Sequence, residues 1–271
     1  MIRKSFNRII ILFLMTQTLY EKVCDFNKSF DYKIYSIHEE NPLKNTKDAK
    51  YRYDLIHEEG VVELGAAIKN NDRIETMDGI ADLLYVLYGA CYTYDLNPDI
   101  MINTFFDDYN EFYNKTKLNT FNCSLEYVDY YNKLLQNIEN VRVCLLEKNN
   151  VIELYSALVK TIINTFQLGF SLRIDINKVF NIVHDSNMSK LCKTEDEAKD
   201  TVCFYENKYQ NYKQFYEEYC LKYGKESNEA KSVYCPYDSP YYYKSGDYYL
   251  VKNKSTGKAL KSINYTPVIF G

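Results

Sequence analysis

The stretch Leu83-Leu84-Tyr85-Val86-Leu87-Tyr88 is apolar at every position. It lies in a helix predicted from Ile74 to about Tyr94, after the turn Lys69-Asn70-Asn71-Asp72 and before the break at Asn97-Pro98. A helix that is apolar on most sides has to be wrapped by other elements. This one feature commits the chain to a packed helical core.

The remaining periodicity agrees. A helix beginning at Lys47, capped by Thr46, runs through Ala49, Tyr53, Leu55, Ile56, Val62, Leu64, Ala67 and Ile68. The short turn that follows makes it an antiparallel neighbour of the apolar helix. A third strong helix spans roughly Val151 to Leu172, on Ile152, Leu154, Leu158, Ile162, Ile163 and Phe166. A short helix is expected from Asp175 to Val183, and one or two amphipathic, Tyr-rich helices over 193–232. Residues 101–150 show weaker helical periodicity. Tyr241-Tyr242-Tyr243-Lys244 and Tyr248-Tyr249-Leu250-Val251 flank Ser245-Gly246-Asp247 and predict a β-hairpin with a three-residue turn. A second turn is expected at Ser255-Thr256-Gly257-Lys258. The stretch from Tyr88 to Asn97 echoes the stretch from Phe166 to Asp175, which marks residues near 98–160 as an insertion. The expected organisation is a mostly α helical bundle, one domain over 20–271, with that insertion and a C-terminal hairpin and tail over about 236–271.

Residues 1–19 read as an N-terminal extension. Arg3, Lys4 and Arg8 precede the apolar run from Ile9 to Met15, but no small-x-small cleavage site follows, and the run is too short to span a bilayer. The eight cysteines include no C-x-x-C pair and no Cys/His cluster of zinc type. Reduced thiols in a cytoplasmic setting are therefore expected, with no membrane association. The net charge of −4 offers no basic surplus for a nucleic acid polymer. A small phosphorylated ligand needs only a metal and a few local cations.

The chemistry concentrates on the first two helices. Glu59 and Glu63 stand four apart, and Glu75, Asp78 and Asp82 stand at i, i+3 and i+7, so each set shares one face. A single acidic pair is ordinarily a solvated surface. Two consecutive antiparallel helices with matched acidic faces are less ordinary, because the faces point at each other and like charges repel. Asp82 also adjoins the apolar run. Carboxylates in such a place call for a counter-charge, and a hard divalent cation such as Mg²⁺ takes oxygen ligands. A carboxylate off the metal serves as general base toward water. Lys190 offers a cation for a phosphate, and Asn187 a donor and an acceptor for base or sugar. His184, beside Val183 and Phe180, reads first as part of a packed helix end. Tyr85 and Tyr88 read first as core residues.

The segment Glu58-Glu59 … Glu63-Leu64 … Glu75-x-x-Asp78-Gly-Ile-Ala-Asp82-Leu-Leu-Tyr-Val-Leu-Tyr-Gly89 resembles the all-α nucleoside triphosphate pyrophosphohydrolase superfamily, in its MazG-like and phosphoribosyl-ATP pyrophosphohydrolase-like branch. Two later blocks agree in order. One is Val179-Phe180-x-x-Val183-His184-Asp185-Ser186-Asn187-Met188-Ser189-Lys190-Leu191, and the other runs from Gly257-Lys258-Ala259 to Tyr265-Thr266-Pro267. The resemblance implies a bundle that forms a homodimer or higher homo-oligomer and binds Mg²⁺, with Mn²⁺ as a substitute. It implies hydrolysis of a nucleotide polyphosphate to a monophosphate and pyrophosphate, in the manner of a nucleotide-pool cleaner. Glu59, Glu63, Glu75 and Asp78 would be the catalytic acids. Glu58 and Asp82 would join them as metal ligands, and Asn187 and Lys190 would contact substrate. Two departures stand out. The first acidic motif of the superfamily reads Glu-Glu-x-x-Glu, whereas Glu58-Glu59-Gly60-Val61-Val62-Glu63 is one residue longer. Either Glu58 or Glu59 is off the metal, or Gly60 marks a helix bulge. The insertion near 98–160 is the second. A non-catalytic nucleotide-binding or regulatory module that keeps the fold is the alternative reading.

Overall fold

The structure is a computed structural model that describes residues 17–36, 42–105, 123–148, 150–228, 231 and 237–270. The apolar run from Ile9 to Met15 lies outside them. The elements, in chain order, are α1 (Leu19–Ser29), α2 (Thr46–His57), a π-helical segment (Glu58–Glu63), α3 (Leu64–Lys69), α4 (Arg73–Thr93), α5 (Cys123–Leu146), α6 (Val151–Ser171), α7 (Ile176–Met188), α8 (Glu195–Tyr223), β1 (Pro240–Ser245), β2 (Tyr248–Asn253) and β3 (Ala259–Leu260). The protein is mostly α, as the periodicity predicts. It divides into two compact units, one of residues up to 25, 33–184 and the last two, the other of residues 26–32 and 185–269.

In the first unit, helix starts are set by side chains that take the orphan N–H groups of a first turn. Asp72 accepts from the N–H groups of Ile74 and Glu75 and so opens α4, and Asn150 does the same for Ile152 and Glu153 at α6. At α2 the cap is Asn45, whose side chain accepts from the Asp48 N–H, so the helix starts one residue before the position expected with Thr46 as cap. Helix α4 is the centre of the unit. Ile80, Leu83, Leu84, Leu87, Ala90 and Cys91 are all fully buried. Helices α5 and α6 pack along each other. Leu134, Ile138 and Val141 of α5 and Leu154, Leu158 and Ile162 of α6 are buried at helical spacing. Each such side chain contributes about 1.5–3 kcal/mol by leaving water. The segment read from sequence as an insertion therefore supplies a wall of this unit's own core.

In the second unit, Thr194 caps α8 by accepting from the Glu197 N–H. The three strands form an antiparallel sheet in the order β1-β2-β3. Ser245 pairs with Tyr248, so the hairpin loop is Gly246-Asp247, shorter by one residue than the expected turn. Strand β3 has two residues and is too short to leave a sequence signal. Cys192, Ala198, Tyr205, Val251 and Leu260 make one apolar cluster, and Phe30, Leu191 and Leu250 another.

Candidate active site

The six candidate acids lie within the first unit. The π-helical segment carries Glu58, Glu59 and Glu63, and α4 carries Glu75, Asp78 and Asp82. Glu59, Asp78 and Asp82 are half-buried, whereas Glu58, Glu63 and Glu75 are exposed. The two acidic faces do meet. Burial, and after it the charges of Asp82, Glu63 and Asp78, push the Glu59 carboxyl up to about 8, with a hydrogen bond to Glu63 acting in the same direction. Burial likewise raises Asp78, followed by the charges of Glu75 and Glu63. No cation figures among these influences.

Among the described residues, three buried side-chain oxygens have no hydrogen-bond partner: Glu59 Oε2, Asp78 Oδ1 and the Tyr94 hydroxyl. Two of the three belong to the acidic cluster. Leaving a buried acceptor unsatisfied costs about 1–3 kcal/mol, and more when it is charged. Also among the described residues, no three acids, histidines or cysteines close around one point in the arrangement of a finished metal site. The faces do approach each other, since Glu59 is hydrogen-bonded to Glu63 and is acted on by Asp82 and Asp78. The donor set still suits a hard divalent cation, because it offers oxygen only, carries surplus negative charge and keeps two buried acceptors unused.

The remaining candidates separate. His184 Nδ1 lies 3.2 Å from the Tyr85 hydroxyl, and the Tyr85 ring stacks on Phe180 at 5.5 Å, so both belong to the packing of α4 against α7. Tyr88 is buried with its ring edge-on to Phe180. Asn187 and Lys190 lie in the second unit, where the Lys190 ammonium donates to Asn187 Oδ1.

Comparison with known proteins agrees with the geometry. The family model for phosphoribosyl-ATP pyrophosphohydrolase matches residues 23–107, the stretch that contains all six acids. A protein of Acanthamoeba polyphaga mimivirus, "Uncharacterized protein L479", is 30% identical over 195 residues, covering 69% of this chain and 77% of that protein. The chain belongs to the MazG-like all-α nucleoside triphosphate pyrophosphohydrolase superfamily. At family level it is a hydrolase of pyrophosphohydrolase type. No solved structure matches it.

Membership gives the π-helical segment its meaning. The superfamily's Glu-Glu-x-x-Glu fits an α-helix, and one added residue would rotate Glu63 away from the pair before it. A π-helix has a longer turn and absorbs that residue. Its signature is present, since the Leu64 N–H donates to the carbonyl of Glu59, five residues back. Glu63 remains beside Glu59 as a result. The segment is held from α5. Tyr131 donates its hydroxyl to the Gly60 carbonyl at 3.2 Å, and Ile138 packs over Gly60. A Cβ on Gly60 would come within 2.5 Å of Ile138 Cδ1, and one on Gly65 within 2.5 Å of the Tyr131 hydroxyl. Sequence reasoning missed Tyr131 and Ile138. The signal available was the spacing of Tyr131, Leu134, Ile138 and Val141, which lines one face of a helix.

Proposed function

We propose that the protein hydrolyses a nucleotide polyphosphate to a nucleoside monophosphate and pyrophosphate in a Mg²⁺-dependent reaction, with Mn²⁺ able to replace Mg²⁺, and that it serves to clear unwanted nucleotides from the pool. The observation that supports this reading is the pair Glu59 Oε2 and Asp78 Oδ1, buried, unpartnered and surrounded by further acids. Glu58, Glu59, Glu63, Glu75, Asp78 and Asp82 would hold the metal. When bound, the ion neutralises charge on the phosphate oxygens. Mg²⁺ keeps several waters and uses few protein ligands. A cluster of this size therefore leaves a carboxylate to accept the proton of the attacking water. Lys190 suits a phosphate and Asn187 a base or sugar edge.

The reading extends to a homodimer or higher homo-oligomer in a reducing, cytoplasmic setting. Among the described residues, Cys24, Cys91, Cys144, Cys192, Cys203 and Cys220 are free cysteines. Among the described residues, no helix is long and apolar enough to cross a membrane.

The test is pyrophosphate release over a panel of nucleotides that includes dUTP, dCTP, oxidised nucleotides and phosphoribosyl-ATP, each with Mg²⁺, with Mn²⁺ and with EDTA. Release that needs a divalent ion supports the reading. Nucleotide binding without release under any of these conditions would favour the non-catalytic module.

A further inference from the structure

A cavity of about 200 Å³ in the first unit lies away from the acids, between the ends of α3 and α6 and the first turns of α4 and α5. On α4 it is lined by Arg73 and Thr76, and the buried Ile80 continues their i, i+3, i+7 row. Glu75, Asp78 and Asp82 repeat that row two residues later, roughly 200° further round the helix. The cavity and the acidic cluster therefore occupy opposite faces of α4.

The walls divide by chemistry. Ile68, Leu172 and Ile174 make an apolar floor, and Asn71, Arg73 and Tyr127 bring the polar groups. Arg73 donates to the carbonyls of Leu172 at 3.2 Å and Arg173 at 3.3 Å, which uses two of its five N–H donors. Among the described residues Arg73 has no ion pair, and the Asn71 amide and the Tyr127 hydroxyl have no hydrogen-bond partner. The carbonyls at the end of α6 already meet part of the Arg73 charge, and no second cation lines the cavity. A neutral pair of acceptors suits this setting better than a full anion. At roughly 30 Å³ per water the space holds about seven waters, room for a fused-ring base but not for a whole nucleotide.

We propose that this cavity binds a 6-oxopurine, guanine or hypoxanthine, as the free base or the nucleoside. The remaining Arg73 N–H groups fit the O6 and N7 acceptors, the pairing by which arginine reads guanine. The Tyr127 ring supplies a stacking face, and Asn71 a donor and an acceptor for another edge. Occupancy also has a route to the acids. Ile68 stands one turn after Leu64, whose N–H closes the π-helical turn, and Tyr127 stands one turn before Tyr131, whose hydroxyl donates to Gly60. The cavity thus has a wall on each partner of the contact that holds the π-helical register, and a base lodged there ties the two together. The site rests on the geometry of the first unit and not on the proposed reaction.

The test is calorimetric titration of the full-length protein in EDTA with inosine and guanosine, with adenosine, uridine and benzoate as parallel arms. Melting curves first establish that each variant folds. Arg73→Gln should weaken inosine binding by about tenfold, as loss of a bond to a charged donor does. Arg73→Lys should also weaken it, because a point charge does not span two acceptors. Asn71 has φ 52°, so Asn71→Gly keeps the backbone while removing the amide, and should weaken binding by about three- to tenfold. Tyr127→Ala should cost about tenfold through lost stacking. Ile68→Trp fills the space and should abolish binding. Asn187→Ala, in the second unit, is the control and should bind inosine as wild type does. Inosine should also slow amide hydrogen exchange over residues 58–65 in wild type and not in Asn71→Gly. The proposal is overturned if wild type binds neither 6-oxopurine nucleoside, if adenosine, uridine or benzoate binds as tightly, if Arg73→Gln and Asn71→Gly bind as wild type does, or if Asn187→Ala is equally weakened. Binding with unchanged exchange would overturn the link to the π-helical segment. A wild type that binds inosine through these residues but releases no pyrophosphate would refute the proposed function and leave this site standing, and pyrophosphate release without inosine binding would do the reverse.

Discussion

The Tyr131 hydroxyl donates to the carbonyl of Gly60, the group that an α-helical Leu64 N–H would have taken. In the π-helical register that N–H goes to Glu59 instead, and the side chain from α5 supplies the replacement donor. Tyr131→Phe removes this donor while keeping the ring. It should cost about 1 kcal/mol of stability, the usual net value of one part-buried hydrogen bond. If the contact also positions the acids, the Mg²⁺ concentration for half-maximal activity should rise by about three- to tenfold, since small misplacements at a reacting centre are costly. Thermal melts and Mg²⁺ titrations of activity check the two effects separately. A variant with unchanged Mg²⁺ dependence would show that Tyr131 serves stability alone.

Gly60→Ala tests the same register from the other side. A new Cβ meets Ile138 Cδ1 at 2.5 Å and Leu83 Cδ1 at 3.1 Å, and both partners are buried with little room to yield. Alanine gains about 1 kcal/mol in helix propensity over glycine, whereas overpacking costs about 1–3 kcal/mol. The net expectation is destabilisation by up to about 2 kcal/mol on these two scales, read from urea midpoints. A stabilised variant would mean that α5 is not seated on the segment as described.

Much of this was written in the sequence. Asp72 and the apolar run from Leu83 to Tyr88 fixed α4 to within a residue, and the spacing of Glu75, Asp78 and Asp82 set its acidic face. The π-helical turn was visible only as one residue too many, because a shift of hydrogen-bond partner changes no residue type. Helix α5 hid behind polar and tyrosine-rich positions that dilute the periodicity of Leu134, Ile138 and Val141. Helix α7 runs five residues past the predicted end at Val183, to Met188. His184, Asp185, Ser186 and Asn187 look like a helix stop, yet Ser186 is buried and its hydroxyl is bound by tertiary contacts that no local rule encodes.

The raised Glu59 carboxyl has a pH consequence. Its folded value, about 8, exceeds the ordinary 4.5, so between these limits the folded chain binds more protons than the unfolded chain. Stability then falls as pH rises through that window. Asp78, also raised, acts in the same sense. Both groups are partly solvated, which weakens the effect. In EDTA, the melting temperature should therefore decline from about pH 5 to pH 8, beyond any trend in Glu59→Gln. Excess Mg²⁺ should flatten the decline, because a bound cation favours the charged acids, and at 100 times its Kd it adds about 2.7 kcal/mol. A metal-free melting temperature that rises across this window would contradict the burial and crowding of Glu59.

Asp78→Asn separates the metal reading from a purely structural one. Asp78 lies between Glu75 and Asp82 on the face of α4, is half-buried and has one carboxyl oxygen without a partner. Asparagine keeps the size and removes the charge. If the acid holds a cation, the variant should lose about 10²-fold or more in kcat/KM, because metal-held phosphate charge is worth several kcal/mol in the transition state. Without metal the variant should be at least as stable as wild type, since repulsion from Glu75 and Glu63 and the burial of charge are both relieved. These two effects have opposite signs, and a merely structural acid would not produce both. Lys190→Ala should behave differently and mainly raise KM, as a contact made equally in ground and transition states does. The comparison requires a wild type with demonstrated pyrophosphate release. If Asp78→Asn then retained that release and its Mg²⁺ dependence, the carboxylate mechanism would be wrong, whatever the fold.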